Sequence, residues 1–251
     1  HIIAGSKNNI CNLNKSILEA DIQPTSQVVG SVATARALLT AKEREEGTIM
    51  IDIGASTTDI AVFNSGSVIH TDSIPIGGNL FTSDIATAFD IDFNDAEKIK
   101  IDPGSATPER ALTTNTINIK PLTCDESVEI TERELAQLIK ERANELVRLI
   151  AYKLENDIVA TSEIDQIVLT GGCSKLDGLI QLMRFLLQKR VRCHDNQLVN
   201  GLHEENFDPS LSCVISLAMW GEYGVDKNIG HIHHRKFRFF QSSFYYKKIN
   251  A

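Results

Sequence analysis

The stretch from Thr48 to Ile76 constrains this chain more than any other. Thr48-Ile-Met-Ile51 reads as an apolar strand that runs directly into Asp52-Ile-Gly54-Ala-Ser-Thr-Thr-Asp59, and Ile60-Ala-Val-Phe63 reads as a second strand. Asn64-Ser-Gly66 supplies a turn, and a third strand begins at Val68-Ile69-His70 and heads towards Ile74. Apolar runs joined by small polar residues are the layout of a strand–turn–strand unit. The loop carries no bulky side chain, so its backbone N–H groups can approach a phosphate closely. Asp52 leaves the end of a buried strand, where a carboxylate is costly unless a cation meets it. A hydrated Mg²⁺ shared with phosphates would meet that need. An ordinary polar hairpin is the alternative reading.

With 251 residues and 42 % hydrophobic content, the chain can build one large domain or two of ordinary size. The net charge of −8 argues against general nucleic-acid binding. The five cysteines, Cys11, Cys124, Cys173, Cys193 and Cys213, have no CxxC spacing, form no zinc pattern, and suit a reducing compartment. No apolar run reaches the roughly 18 residues of a spanning helix. The chain begins at His1 rather than Met, and residues that precede it in the native protein are expected.

Before the central stretch, His1-Ile-Ile-Ala4 reads as a short strand, Asn8 to Ala20 as a helix, and Gln27-Val-Val29 as another strand. Gly30-Ser31 opens a helix through Leu39, whose small face at Ser31, Ala33, Thr34 and Ala35 suits close packing. Lys42-Glu-Arg-Glu-Glu46 and Gly47 end it and mark a boundary. After it, Gly77-Gly78 turns the chain, and Asn79 is the expected cap of a helix containing Ile85, Ala86 and Phe89. A short charged helix from Asn94 to Ile101 stops at Pro103-Gly104, and residues 105 to 130 read as irregular and β-rich. Thr131-Glu-Arg-Glu134 is a capping box. It starts a long helix with a stripe at Leu135, Leu138, Ile139, Leu146, Val147, Ile150 and Leu154. Glu141, Arg142, Glu145 and Arg148 lie off that stripe, on an expected solvated face. Ile164 to Leu169 is a buried strand entering Thr170-Gly-Gly-Cys-Ser174, with a helix expected from Lys175 or Leu176. A strand that enters a Gly-Gly turn at a helix N-terminus brings free N–H groups and a positive dipole end together, a setting for anions or a nucleotide.

Taken together these motifs resemble the actin and chaperone-ATPase superfamily. Asp52-Ile-Gly-Ala-Ser-Thr-Thr-Asp59 is similar to its second phosphate loop, Ile167-Val-Leu-Thr-Gly-Gly172 to its adenosine motif, and Gly30-Ser-Val-Ala-Thr-Ala35 to its first connecting helix. Within the superfamily the chain resembles the FtsA family of bacterial cell-division proteins. Leu39-Thr-Ala-Lys-Glu-Arg-Glu-Glu-Gly47, His70-Thr71, Ile74-Pro-Ile-Gly-Gly78, Thr82-Ser-Asp-Ile-Ala86 and Asp95-Ala-Glu-Lys-Ile-Lys100 carry that likeness. The resemblance implies an α/β protein of the actin-like ATPase (ribonuclease H-like) fold, incomplete at the N-terminus. It implies ATP and Mg²⁺ as cofactors, with phosphates on the loop of Gly54, Ala55, Ser56 and Thr57. Asp52 would bind Mg²⁺ through water and help place the attacking water, the catalytic role. Glu97 and Lys100 would flank the adenosine, with Gly171, Gly172 and Ser174 beneath it.

The family pattern is not matched everywhere. Ala55-Ser56 stands where the family has two further glycines, and an L-residue needing φ > 0 there would cost about 1 kcal/mol or more. The first phosphate loop, a D-x-G hairpin, is expected to precede residue 1. Gly30 stands where many superfamily members carry Glu or Gln to orient water, so at most slow ATP hydrolysis is expected. Residues 1–46 read as the remainder of a first large domain, and 47–85 with 161–227 as a second. Residues 86–160 read as a smaller subdomain, and 228–251 as a tail.

That tail, His231 to Ile249, is basic and aromatic. As a helix it places Phe237, Phe240 and Phe244 on one side. Arg235, Lys236, Arg238, Lys247 and Lys248 would each add about 1 kcal/mol near an anionic leaflet. His231, His233 and His234 read as incidental rather than as a metal site. The resemblance implies a membrane-targeting tail, self-association into actin-like filaments, and FtsZ as a partner bound around residues 86 to 160. It places the protein at the cytoplasmic face of the bacterial inner membrane, at the division septum. A small-molecule kinase of the same fold, or an actin-like adaptor of pilus assembly, is the alternative.

Overall fold

The computed structural model describes residues 3–24, 26–112, 114–156, 163–194 and 208–223. The tail residues Arg235, Lys236, Phe237, Arg238, Phe240, Phe244, Lys247 and Lys248 lie outside them. Three strands form the hairpin unit: β1 (Thr48–Ile53), β2 (Thr58–Asn64) and β3 (Ser67–Ile74). With β6 (Gln166–Thr170) and β7 (Arg190–Cys193) they make one sheet in the order β3-β2-β1-β6-β7. β1–β2 and β2–β3 pair antiparallel, whereas β6 lies parallel to β1 and to β7. A parallel pair needs a long crossover, and residues 75–165 supply it.

β1 alternates its side chains between two helical layers. Ile49, Ile51 and Ile53 face a core with Ile60, Val62, Ile167 and Leu169, roofed by Phe81, Ile85, Leu146, Ile150 and Met183. Those roof residues lie on α4 (Gly78–Phe89), α6 (Glu132–Asn156) and α7 (Leu179–Leu187). Met50, Ala61, Phe63 and Val168 face the other way, against Val32, Ala35 and Leu38 of α2 (Gly30–Leu38). Met219 and Trp220 of α8 (Ser212–Tyr223) pack there as well. Asp52 is in step with Met50, so it emerges on the α2 and α8 side.

α2 keeps the small face read from the sequence: Ser31, Ala33, Thr34 and Ala35 are all buried. α6 begins at the expected capping box, with the Thr131 N–H donating to Glu134 (2.8 Å) and the Glu134 N–H to Thr131 Oγ1 (3.2 Å). Its stripe is buried as read, except that Leu138 is only partly covered. Arg142 departs from the solvated face: its guanidinium forks onto Asp84 of α4 at 2.5 and 2.8 Å. The four-residue strands β4 (Thr116–Ile119) and β5 (Val128–Thr131) pair as a separate hairpin, within the segment read as β-rich.

Several local expectations are corrected. Of the strand expected over His1–Ala4, His1 and Ile2 lie outside the described residues, and Ile3 and Ala4, like Gln27–Val29, are not strands, because among the described residues neither segment finds a partner in a ladder. The charged run after α2 is a helix of its own, α3 (Ala41–Glu46), because Thr40 and Glu43 form a second capping box. Asn79 does not cap α4; Gly77 does, with no side-chain bond. The helix expected from Lys175 or Leu176 is instead a 3₁₀ turn, Gly172–Lys175, and α7 starts only at Leu179 after Gly178 at φ +80°. The positive end of a long helix therefore does not sit behind Gly171-Gly172.

Candidate functional site

The candidate site forms where β1 and β6 end side by side. Asp52 pairs in register with Thr170 on β6 and with Asp59 on β2. Burial, then the like charge of Asp59, pushes the Asp52 carboxyl up to about 6. Asp59 is held by Ser73 Oγ (2.6 Å) and Thr57 Oγ1 (3.0 Å). Asp52 has no such support: among the described residues, no hydrogen bond or ion pair reaches its carboxylate. Beside it, Cys213 of α8 lies close to Gly30, where a Cβ would stand 3.1 Å from its sulfur. Burial, then Asp52, raises the Cys213 thiol.

The loop after Asp52 is folded by its own backbone and by α4. The Gly54 N–H donates to the Thr57 carbonyl (2.9 Å), while the Gly54 and Ala55 carbonyls accept from the N–H groups of Gly78 (2.9 Å) and Asn79 (2.7 Å). These bonds turn the loop carbonyls towards α4. Among the described residues, the N–H groups of Ala55, Ser56 and Thr57 have no acceptor. The strain expected at Ala55-Ser56 is absent, since neither residue nor Gly54 has positive φ. The glycine the loop does need is Gly77, where a Cβ would lie 2.6 Å from the Ala55 carbonyl oxygen.

Glu97 and Lys100 sit on α5 (Phe93–Ile101) and bond to each other at 2.6 Å. Lys100 also reaches Thr82 Oγ1 (2.8 Å) and the Gly78 carbonyl (3.2 Å). Burial opposes ionisation of Glu97, but the hydrogen bonds from Lys100 and Thr82 prevail and hold it below its ordinary range. Gly171 takes φ +88°, and a Cβ there would lie 2.4 Å from both Asp52 Oδ1 and the Ile53 carbonyl oxygen. Ser174 is buried and donates to the Gly171 carbonyl (2.6 Å), which shapes the turn from within. Cys173 carries a thiol pushed by burial to about 11, next to Lys100 and Glu97.

The structure thus gathers Asp52, Gly54–Thr57 and Gly171 at one end of the sheet, and joins Glu97 and Lys100 to the loop through α4. Thr82, Gly77, Cys173 and Cys213 also belong to this region, although none of the motifs read from the residues assigns them a binding role. Only a signal in Gly77-Gly78 was available, and it reads equally well as a plain turn.

A family model described as cell division protein FtsA matches residues 49–216. The chain belongs to the FtsA family. It is 31 % identical over 221 residues to the cell division protein FtsA of Pseudomonas aeruginosa, covering 88 % of this chain and 53 % of that protein. It is 32 % identical over 221 residues to the FtsA of Borreliella burgdorferi, covering 88 % and 54 %. The chain spans about half the length of the curated relatives it matches. Among solved structures it is similar to MreB5 of Spiroplasma citri bound to ADP, with a TM-score of 0.71, 18 % identity, and coverage of 88 % of this chain and 67 % of that one. It is also similar to the PilM-PilN type IV pilus biogenesis complex, with a TM-score of 0.66, 20 % identity, and coverage of 84 % and 57 %. The fold is that of the actin-like ATPases, and the FtsA match lies over both the sheet and the crossover that carries Lys100.

Proposed function

We propose that this FtsA-family chain binds ATP with Mg²⁺ and serves as an actin-like scaffold of bacterial cell division. One observation carries the nucleotide reading: among the described residues, Asp52 is a mostly buried carboxylate with no partner, beside a loop whose Ala55, Ser56 and Thr57 N–H groups have no acceptor. Such a carboxylate suits a hydrated divalent cation, and the free N–H groups of Ala55, Ser56 and Thr57 suit phosphate oxygens. Mg²⁺ would be held through water by Asp52 and would neutralise phosphate charge. The Gly171 and Gly172 backbone would lie beneath the adenosine, with Ser174 fixing the turn, while Glu97 and Lys100, bonded to each other on α5, would back the loop from the α4 side. Gly30 offers no side chain to orient water, which fits a binding switch with slow hydrolysis at most.

On this reading the wider protein tethers FtsZ polymers to the inner membrane at the septum, and filaments of the actin type form from it. The support is family membership and, for the membrane, the basic aromatic composition of residues 231–249. Residues 86–160 would carry the FtsZ contact and form a smaller subdomain between the two parts of the large one.

Calorimetry with Mg·ATP tests the site. Asp52→Asn should weaken binding at least about tenfold, the loss of one charge-assisted contact; an unchanged affinity would return Asp52 to a structural role. Deleting residues 231–251 should abolish sedimentation with anionic liposomes, and undiminished binding would refute the tether.

A further inference from the structure

The Lys100 ammonium is committed inside the protein. Its side chain is 11 % exposed. An ammonium has three N–H donors, and here they meet Glu97 at 2.6 Å, Thr82 Oγ1 at 2.8 Å and the Gly78 carbonyl at 3.2 Å. The third contact has a consequence at a distance. The Gly78 carbonyl belongs to the same peptide unit as the Asn79 N–H, and that N–H donates to the Ala55 carbonyl at 2.7 Å. The Ala55 carbonyl in turn belongs to the same peptide unit as the Ser56 N–H, one of the loop's free donors.

A cation at a peptide oxygen draws electron density towards itself and makes the N–H of that unit a stronger donor. Hydrogen-bonded peptide units polarise one another in this way, by some 10–30 % per bond. The two units run head to tail, each with its carbonyl towards Lys100 and its N–H away from it. Their dipoles of about 3.5 D therefore reinforce one another through the chain of bonds. That chain begins at a largely covered positive charge and ends at the Ser56 N–H.

We infer that Lys100 is a positioning residue for anion binding: through the Gly78–Asn79 and Ala55–Ser56 peptide units it fixes the loop and strengthens the Ser56 N–H as a phosphate donor. This rests on the nucleotide reading of the loop and deepens it, because it assigns the ammonium to the phosphate half of the ligand. Thr82 and Glu97 hold the ammonium in place. Gly77 lets α4 come close enough for the relay to form, since any Cβ there would meet the Ala55 carbonyl.

The test compares ADP with adenosine on the full chain by calorimetry, together with amide hydrogen exchange in ligand-free protein. In Lys100→Met, ADP binding should weaken about tenfold, or about 1.4 kcal/mol, while adenosine binding stays within about twofold. Exchange of the Asn79 amide should rise about tenfold in the same variant. Thr82→Val, which keeps the side-chain volume and removes one ammonium partner, should shift both readouts in the same direction by less. Equal losses for adenosine and ADP would make Lys100 a base contact and overturn the inference. Unchanged Asn79 exchange would overturn it whether or not nucleotide binds. If the parent chain binds no ADP, the nucleotide reading fails, and the exchange result still decides the relay.

Discussion

Two carboxylates on opposite sides of the sheet show how differently this molecule treats buried charge. Asp84 on α4 receives a two-pronged contact from Arg142 of α6, at 2.5 and 2.8 Å. Asp52 at the end of β1 receives nothing among the described residues, and Asp59 stands opposite it in register. The first is a closed account of charge, in which desolvation is offset by a geometrically good partner. The second is open, and its carboxyl is driven up to about 6 as a result. A fold that supplies partners at Asp84, at Glu43 through Arg192 and at Asp72 through Lys153 does not lack the means to satisfy Asp52. Perturbed groups of this kind gather at functional sites.

The largest expected effect comes from closing the space around Asp52. Gly171→Ala places a Cβ within 2.4 Å of Asp52 Oδ1 and of the Ile53 carbonyl oxygen, at φ +88°. Left-handed backbone costs an L-residue about 1–2 kcal/mol before any clash, so a loss of about 3 kcal/mol or more is expected in urea unfolding. Gly54→Ala is the contrast: its Cβ would meet only the Thr57 carbonyl oxygen, at 3.5 Å, and φ is ordinary. A loss below about 1 kcal/mol is expected there. Equal losses for the two would remove the distinction between a packed turn and an adaptable loop.

A smaller effect, opposite in sign, is expected at Asp52 itself. Its folded pKa of about 6 lies above the unfolded value. The contribution is therefore fully present below about pH 3.9 and lost as pH rises through about 6. Asp52→Asn removes that loss. Above pH 7 the ligand-free variant should be more stable than the parent by on the order of 1–2 kcal/mol, and the two should converge near pH 4. The same substitution weakens Mg·ATP binding on the proposed reading. Higher stability combined with poorer binding marks a functional carboxylate; lower stability at pH 7 would show that an interaction supports Asp52 in the fold.

Much of this architecture could be read from the residues because the signals were local. β1 to β3 announce themselves by apolar runs and a turn, α6 by a capping box and a seven-residue stripe, and α2 by its small face. Asp52 was also legible, since a carboxylate at the end of a buried strand needs an explanation wherever it occurs. What stayed hidden depends on contacts between distant segments. Gln27-Val-Val29 has strand propensity, but a strand exists only through a partner, and none adjoins it in the sheet. Gly171-Gly172 signals a turn, but a long helix does not follow because Gly178 takes φ +80°, in a place where a Cβ would stand 2.6 Å from the Thr107 side chain. The inward aim of the Lys100 ammonium depends on α4 and α5 meeting, and sequence spacing cannot report that.

The mildest prediction lies at the satisfied end of the comparison, in the capping box of α6. Thr131 and Glu134 exchange backbone and side-chain hydrogen bonds at 2.8–3.2 Å. The Thr131 N–H, then its hydroxyl, holds the Glu134 carboxyl below its ordinary range, so this bond persists above that range and is lost as pH falls through it. Its sign is the reverse of the one at Asp52. Thr131→Ala removes the cap hydroxyl and should destabilise the fold by about 1 kcal/mol at pH 7. The helix is far from the loop in its hydrogen-bond network, so ADP affinity should stay within about twofold of the parent. Thermal unfolding and calorimetry on the same sample separate the outcomes. A drop in affinity would mean that α6, through Arg142 and α4, communicates with the loop after Asp52, and that the satisfied and unsatisfied sides of this sheet are not energetically independent.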